Sequence, residues 1–202
     1  KYADTNANPY ADGTANNEAQ NINTKTLKKG DKFVYQVWLD TNQFDANNKD
    51  NIQTVGITDD YDEAKLEVKQ SDIKAYDGKT GADVTDKFDI SIANGVITAN
   101  LKAGFTKSLG DAENTQIIDT TKFEFGRYYK FVIPAKVTDG AYDGAEIENT
   151  AAQVVNYYNP TTKTVEKPNK PTEKRVNNVP TAIELIFGKT LNGRKIKNLL
   201  SN

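Results

Sequence analysis

The sequence predicts an all-β protein, folded as one antiparallel β-sandwich with long loops and a C-terminal extension. Apolar and polar residues alternate at a period of two in a series of short segments, which is typical of strands with one buried face. Asp-Gly and Asn-Gly pairs separate several of these segments and favour the tight turns of hairpins. No part of the chain alternates strand and helix signals as a parallel sheet would.

The strongest strand signal lies at residues 33–40. Four apolar residues occupy the odd positions and form one buried face, namely Phe33, Tyr35, Val37 and Leu39. Asp40 falls on the opposite face, beside Trp38. Further strands are predicted at 55–59, 64–68, 88–92, 95–101, 126–137 and 147–155. Together these segments predict a meander of antiparallel strands.

Turns and loops account for the segments between the strands. Turn signals lie at 76–79, 93–95 and 139–144. Residues 102–120 are predicted to be a short helix or a loop. The polar stretch 1–30 predicts a first strand followed by a long loop that closes at Gly30.

The chain divides into one domain and a tail. Residues 1–158 are predicted to form the sandwich, because the strand signals there are continuous enough for one core. Residues 159–180 are rich in Pro, Lys, Thr and Glu and predict an extended connector or a closing hairpin. Residues 181–202 are a tail or the start of a following element, with a basic end.

Composition excludes several classes of chemistry. The formal net charge is -2 with both signs interspersed, which argues against nucleic-acid binding. Cysteine, histidine and methionine are absent, so disulfides, thiolate or imidazole nucleophiles and most transition-metal sites are excluded. Neither a membrane-spanning apolar run nor a signal peptide or sorting motif is evident, so we expect a piece of a longer or processed protein.

Four segments carry a resemblance to a known family. They are LKKGDKFVYQVWLD at 27–40, ITDDYDE at 57–63, IENTA at 147–151 and VNNVP at 176–180. In this order they resemble the C-terminal domains of antigen I/II and aggregation-substance adhesins, which are anchored to the walls of Gram-positive bacteria. The resemblance implies a DE-variant Ig fold and an extracellular location at the cell surface. Anchoring would be supplied by a region outside this chain.

The resemblance also implies an intramolecular isopeptide bond between a lysine of the first strand and an asparagine of the last. Lys1 stands at the place of the lysine, Asn149 at that of the asparagine, and Asp59 at that of the acid that promotes the reaction. The chemistry requires burial, because an amine forced into an apolar core loses its proton and becomes a nucleophile. Lys25 or Lys28 could replace Lys1 in this role.

Strand alternation gives independent support for two of these residues. Asp59 shares its face with Val55 and Ile57, and Asn149 shares its face with the apolar residues of 147–151, so both are predicted to point inwards. Asp40 fails the same test. The competing interpretation is that Asp59 only ends a strand at a turn and that Asn149 is a solvated edge residue.

Several other sites stay open at this level. The acidic segments 59–63 and 45–50 could hold calcium, although neither has EF-hand spacing and solvated turns are the better interpretation. No other cofactor is expected. Tyr157 and Tyr158, if exposed, could stack on sugars. A glycosidase with paired carboxylates is the enzymatic alternative, and we expect no enzyme.

The predicted function is therefore that of a structural stalk and adhesion module, stabilised by its own crosslink. The alternative is a module that itself recognises a host glycoprotein or a partner bacterium through its loops or basic tail. The expected partners are the neighbouring domains of the same adhesin, with a host glycoprotein or another bacterial surface as further candidates. Neither nucleic acid nor a membrane is an expected partner of this segment.

Overall fold

The computed structural model describes residues 2–4, 22–42, 44, 51–167 and 173–178. In these ranges it contains thirteen strands and no α-helix. The strands are β1 Tyr2–Asp4, β2 Lys32–Asp40, β3 Ile52–Tyr61, β4 Leu66–Glu67, β5 Lys74–Asp77, β6 Phe88–Ala93, β7 Val96–Leu101, β8 Thr106–Ser108, β9 Gln116–Ile118, β10 Tyr128–Val137, β11 Glu146–Asn159, β12 Thr164–Glu166 and β13 Glu173–Asn178. Short 3-10 turns lie at Gln70–Asp72, Thr85–Lys87 and Ala103–Phe105.

Two antiparallel sheets form the sandwich. The front sheet has the order β1-β2-β10-β4, with β5 also paired to β10. The back sheet has the order β12-β11-β3-β7-β6, with β13 also paired to β11. A separate two-stranded hairpin is formed by β8 and β9. The prediction of an all-β, antiparallel Ig-like sandwich is confirmed.

The core lies between the inner faces of the two sheets. All four odd positions of β2 are buried, as the alternation predicts, and so are Phe131 and Ile133 of the neighbouring strand β10. The back sheet contributes Ile57 and Ile147, which are both fully buried. Each such side chain contributes about 1.5–3 kcal/mol when it leaves water. This layer of apolar side chains therefore holds the sheets together.

The middle of the outer face of the front sheet is buried as well, which the sequence did not predict. Gln36 of β2 and Lys130 of β10 have no exposed surface, and Val34 and Val132 are also buried. Lys130 lies opposite Trp38 in the register, and its ammonium is 5.0 Å from the centroid of the indole ring. The side chain of Lys130 is thus on the face of the sheet that points away from the core.

Three predicted segments differ from the structure. The strand predicted at 64–68 is reduced to β4, because the carbonyl of Asp62 binds the N–H groups of Lys65 and Leu66 in a turn. The turn predicted at 76–79 begins later, since residues 74–77 form β5. Residues 102–120 contain a 3-10 turn and the β8–β9 hairpin instead of a helix or plain loop.

The C-terminal part of the described chain adds to the back sheet. Of the two alternatives for residues 159–180, the described parts form strands: β12 and β13 both pair with β11. The tail 181–202 lies outside the described residues. No helix within the described ranges is long and apolar enough to cross a membrane.

Candidate functional site: a carboxyl and an amide inside the core

Asp59 is a fully buried carboxylic acid in the middle of the back sheet. Strand β3 lies between β7 and β11, and Asp59 is opposite Ile97 on one side and Ala151 on the other. Its neighbours on the same face of β3 are Ile57 and Tyr61, which are buried too. Alternation along β3 therefore turns the carboxyl group towards the inner face of the sandwich, among buried apolar side chains.

Asn149 is the matching buried amide on β11. It lies opposite Tyr61 of β3, between Ile147 and Ala151 on its own face, and only 1% of its surface is exposed. Asp59 and Asn149 are thus diagonal neighbours on the inner face of one antiparallel pair, a relation that places residues about 7–8 Å apart. The predicted inward orientation of both residues is confirmed.

The amide of Asn149 makes no hydrogen bond. Both its Oδ1 and its Nδ2 are buried without a partner in the structure as described. A buried polar group left in this state costs about 1–3 kcal/mol, and native structures contain few of them. The amide therefore calls for a special explanation, such as a chemical role for its side-chain carbonyl.

The lysines can be compared by their burial. Lys25 and Lys28 are exposed, so neither amine loses its hydration, and the structure does not support either as a substitute for Lys1. Among the lysines whose side chains are described, only Lys130 is buried, and it is on the outer face of the front sheet. Lys1 lies outside the described residues. Strand β1 begins at the next residue and pairs with β2.

Other candidate residues fall outside this site. Asp40 is at the end of β2, where its carboxylate accepts a hydrogen bond of 2.8 Å from the N–H of Asn42. Within the described ranges no three acidic residues converge as a metal site would require. The acids of 59–63 diverge because Asp59 is buried, Asp60 is exposed, and Asp62 binds Lys65. The segment 45–50 lies outside the described residues.

Tyr157 and Tyr158 do not form an exposed sugar platform. Both are buried, with 6% and 8% of their surfaces exposed. They lie near the end of β11, where β3 and β12 cover its two edges. The stacking interpretation for these two residues is therefore wrong, because the strand continues past residue 155 and both side chains are buried.

A buried ion pair that was not predicted lies at one end of the sandwich, between Arg127 and Asp77. Nη1 of Arg127 is 2.6 Å from a carboxylate oxygen of Asp77, and both side chains are about nine-tenths buried. Burial alone raises the pKa of Asp77, but the N–H groups of Lys79 and Thr80 and the guanidinium together hold it below its usual range. The two residues are fifty positions apart, so only the β5–β10 pairing reveals the contact.

Asp77→Asn is expected to lower the free energy of unfolding at neutral pH by about 1–3 kcal/mol, the usual contribution of hydrogen bonds to a charged group. Because the folded pKa of Asp77 is depressed, its contribution is present above the unfolded value of about 3.9 and is lost as the pH falls through the folded value. Denaturant melts from pH 7 to pH 2 should show the variant and parent converging in acid. The exposed Asp89→Asn is the control, and a pH-independent difference for Asp77→Asn would contradict the assignment.

The fold and the buried acid–amide pair define a class, that of Ig-like β-sandwich domains with two polar side chains buried in the core. The model of the cell surface antigen I/II C2 terminal domain matches residues 11–169. The chain belongs to this family, and it is an adhesin-like domain of a protein on the outer surface of the cell.

One curated protein is similar in sequence, and two solved structures share the fold. The aggregation substance of Enterococcus faecalis (strain ATCC 700802 / V583) is 26% identical over 164 residues, which are 72% of this chain and 12% of that protein. BcpA, the major pilin subunit of Bacillus cereus, shares the fold with a TM-score of 0.52 and 18% identity, over 78% of this chain and 37% of that one. The C-terminal domain of the Streptococcus agalactiae AgI/II polypeptide BspA shares the fold with a TM-score of 0.50 and 17% identity, over 79% of this chain and 46% of that one. The chain thus corresponds to only part of each.

Proposed function

We propose that this domain is a structural module of an adhesin and that it crosslinks itself through an isopeptide bond between Lys1 and Asn149, promoted by Asp59. The observation that carries the proposal is the buried amide of Asn149, which has no hydrogen-bond partner in the described structure and lies diagonal to a buried acid. A covalent bond at its side-chain carbon would give that amide a purpose that packing alone does not provide.

The register of the front sheet supports Lys1 as the amine. Residue 2 lies opposite Gln36 and residue 3 opposite Tyr35, so each step back along β1 is one step forward along β2. Residue 3 is opposite Tyr35, which is on the inner face, and residues two apart in a strand share a face, so we infer an inward-facing position for Lys1. We therefore expect the amine to enter the core from the front sheet, while the acid and amide enter from the back sheet.

The proposed reaction needs no external reagent. The neutral amine of Lys1 attacks the side-chain carbonyl carbon of Asn149, while the protonated carboxyl of Asp59 donates a hydrogen bond to the carbonyl oxygen. A proton passes from the attacking nitrogen to the departing one through Asp59. The carbon–nitrogen bond of the old amide breaks, one ammonia leaves, and Asp59 regains its proton. The reaction occurs once and releases no other product.

The wider role follows from where the bond would be. It would join the first strand of the front sheet to the long strand β11 of the back sheet, so tension between them would run through covalent bonds. We infer a stalk whose partners are neighbouring domains of the same adhesin and whose anchor is elsewhere in the protein. No catalytic turnover on an external substrate is part of this role.

Intact mass tests the proposal most directly. We expect the purified protein to be lighter than its sequence by one ammonia, and digestion to yield a branched peptide that joins the Lys1 region to the Asn149 region. Peptide mapping is essential, because cyclisation at Asn94–Gly95 would release ammonia as well, and Asn94 is exposed in this turn. Full recovery of an unmodified Asn149 peptide would contradict the crosslink.

A further inference from the structure

A cleft of about 370 Å³ opens at the end of the sandwich where β5 and β10 meet the loop after β9. This volume is in the usual range for small-ligand sites, about 300–1,000 Å³. Its basic lining residues are Lys79, Lys87, Lys122 and Arg127, and its acidic ones are Asp77 and Glu124. A second hollow of about 220 Å³ adjoins it, since the two share Lys79 and Arg127.

Both carboxylates of the cleft are bound to the same cation. Arg127 contacts Asp77 through Nη1 and Glu124 through Nη2, so one guanidinium serves two acids. Among the described residues, no carboxylate lies within 4.0 Å of the ammonium groups of the three lysines. Asp119 is near Lys122 but does not line the cleft, and even with its carboxylate counted the four cations outnumber the three acids. The cleft therefore has an excess of positive charge.

This excess is local, because the chain as a whole has a formal net charge of -2. A concave surface lined with one sign of charge attracts ligands of the opposite sign. The positive groups are held by well-ordered elements: Lys79 follows an Asp77 turn with hydrogen bonds of 2.8 and 3.2 Å. Lys87 packs its ammonium 5.6 Å from the ring centroid of Phe105. An anionic group is thus favoured at this end of the domain.

The adjoining hollow adds an aromatic surface. Tyr128 lines it together with Asn42, Gly78 and Gly126. Its ring is only half-buried, and it is fixed edge-to-face against Trp38 at a centroid distance of 6.3 Å. An aromatic ring beside an amide side chain offers both a stacking surface and hydrogen bonds to a ligand with an apolar face and hydroxyl groups.

We propose that this cleft binds an acidic saccharide, with its carboxylate or sulfate group among Lys79, Lys87 and Lys122 and an adjacent sugar ring against Tyr128. The charge excess selects the anionic group, and the neighbouring aromatic and amide groups suit a sugar. The cleft shares no residue with the core acid and amide, so this binding does not depend on the proposed crosslink. It would give the domain a recognition role in addition to a structural one.

Two probes and a neutral reference test this binding: a heparin-derived tetrasaccharide, a galacturonic acid trimer and maltotriose, each titrated into the labelled domain and followed by amide chemical shifts. We expect one or both acidic probes, but not maltotriose, to shift the signals of Lys79, Thr80, Thr121 and Lys122. Which acidic probe binds more tightly distinguishes sulfate from carboxylate. The absence of shifts with both acidic probes would overturn the proposal.

Paired variants separate a specific site from general attraction between charges. Lys79→Gln with Lys122→Gln should weaken binding about tenfold, as expected for the loss of two charge contacts. Lys32→Gln with Lys136→Gln makes the same change in net charge at the opposite end of the front sheet, where these exposed residues face each other across β2 and β10. This control should bind as the parent does. Equal weakening in both double variants would overturn the site.

Discussion

Asn149→Ala is expected to lower the free energy of unfolding by about 5 kcal/mol, because it removes the proposed crosslink, which would close a loop of nearly the whole domain. A loss of this size is comparable to the entire stability of many small domains, about 5–15 kcal/mol. The variant should melt far below the parent and be cut much faster by trypsin. Thermal melts and digestion time courses at equal concentration measure both effects.

Asn156→Ala is the matched control for this experiment. Asn156 is an asparagine of the same strand, half-buried and opposite Thr54 in the register of β11 with β3. The control should keep the loss of ammonia and melt close to the parent. Similar melting temperatures and trypsin lifetimes for Asn149→Ala and the parent would rule out a stabilising role, even if mass spectrometry had established the bond.

Asp59→Asn should yield a folded protein of full, unreacted mass. The substitution keeps the size of the side chain but removes the acid that donates and returns the proton during amide exchange. Since the crosslink then fails to form, the free energy of unfolding should fall by about 5 kcal/mol here too. Intact mass and circular dichroism of the same sample separate loss of the reaction from loss of the fold.

Two further variants make the assignment of Asp59 specific. Asp60→Asn changes the adjacent acid, which is exposed on the other face of β3, and it should react to completion. The double variant Asp59→Asn with Asn149→Ala should be about as unstable as either single variant, because both remove the same bond. Ammonia loss that persists in Asp59→Asn and stops in Asp60→Asn would reverse the assignment.

The long strands could be predicted because apolar and polar residues alternate along them, and the apolar positions are the buried ones. In β2, the sequence pattern and the buried positions agree for the four odd residues from Phe33 to Leu39. The hairpin turn at Asn94–Gly95 was equally predictable, since both residues adopt the positive φ that the pair favours. Both features can be predicted from a few consecutive residues, without knowledge of the tertiary structure.

The short strands could not be predicted in the same way. Strand β8 is three polar residues, and β4 is only two residues long, so neither offers a period to detect. Strand β4 forms because β10 supplies hydrogen bonds from a distant part of the chain, and β8 forms as one arm of the hairpin with β9. Burial of the outer face of the front sheet likewise depends on tertiary packing and left no sign in the alternation of β2.

The candidate site was predictable only in part. Alternation is sufficient to turn Asp59 and Asn149 inwards, but their diagonal relation depends on the register between β3 and β11, which alternation does not determine. The basic cleft was wholly hidden, because its lysines come from segments on either side of the β8–β9 hairpin. For Tyr157, the neighbouring residues in the sequence gave no indication that the side chain would be buried.

The arrangement of β13 has a consequence for how far the domain can lengthen. β13 runs back along the start of β11, with Asn178 opposite Glu146 and Glu173 opposite Ala151. If the proposed crosslink holds Asn149 in place, a force applied beyond Asn178 would separate the β13–β11 pairs one at a time, starting from the pair of Asn178 with Glu146. Residues 167–178, which follow β12, could then extend to roughly 40 Å, at about 3.4 Å per residue, while β11 stayed paired with β3 and β12 and the body held by the proposed crosslink kept its length. The module would thus lengthen over a short distance before its covalent bonds carried the load. This would reduce the peak force between the cell and the surface to which it is attached.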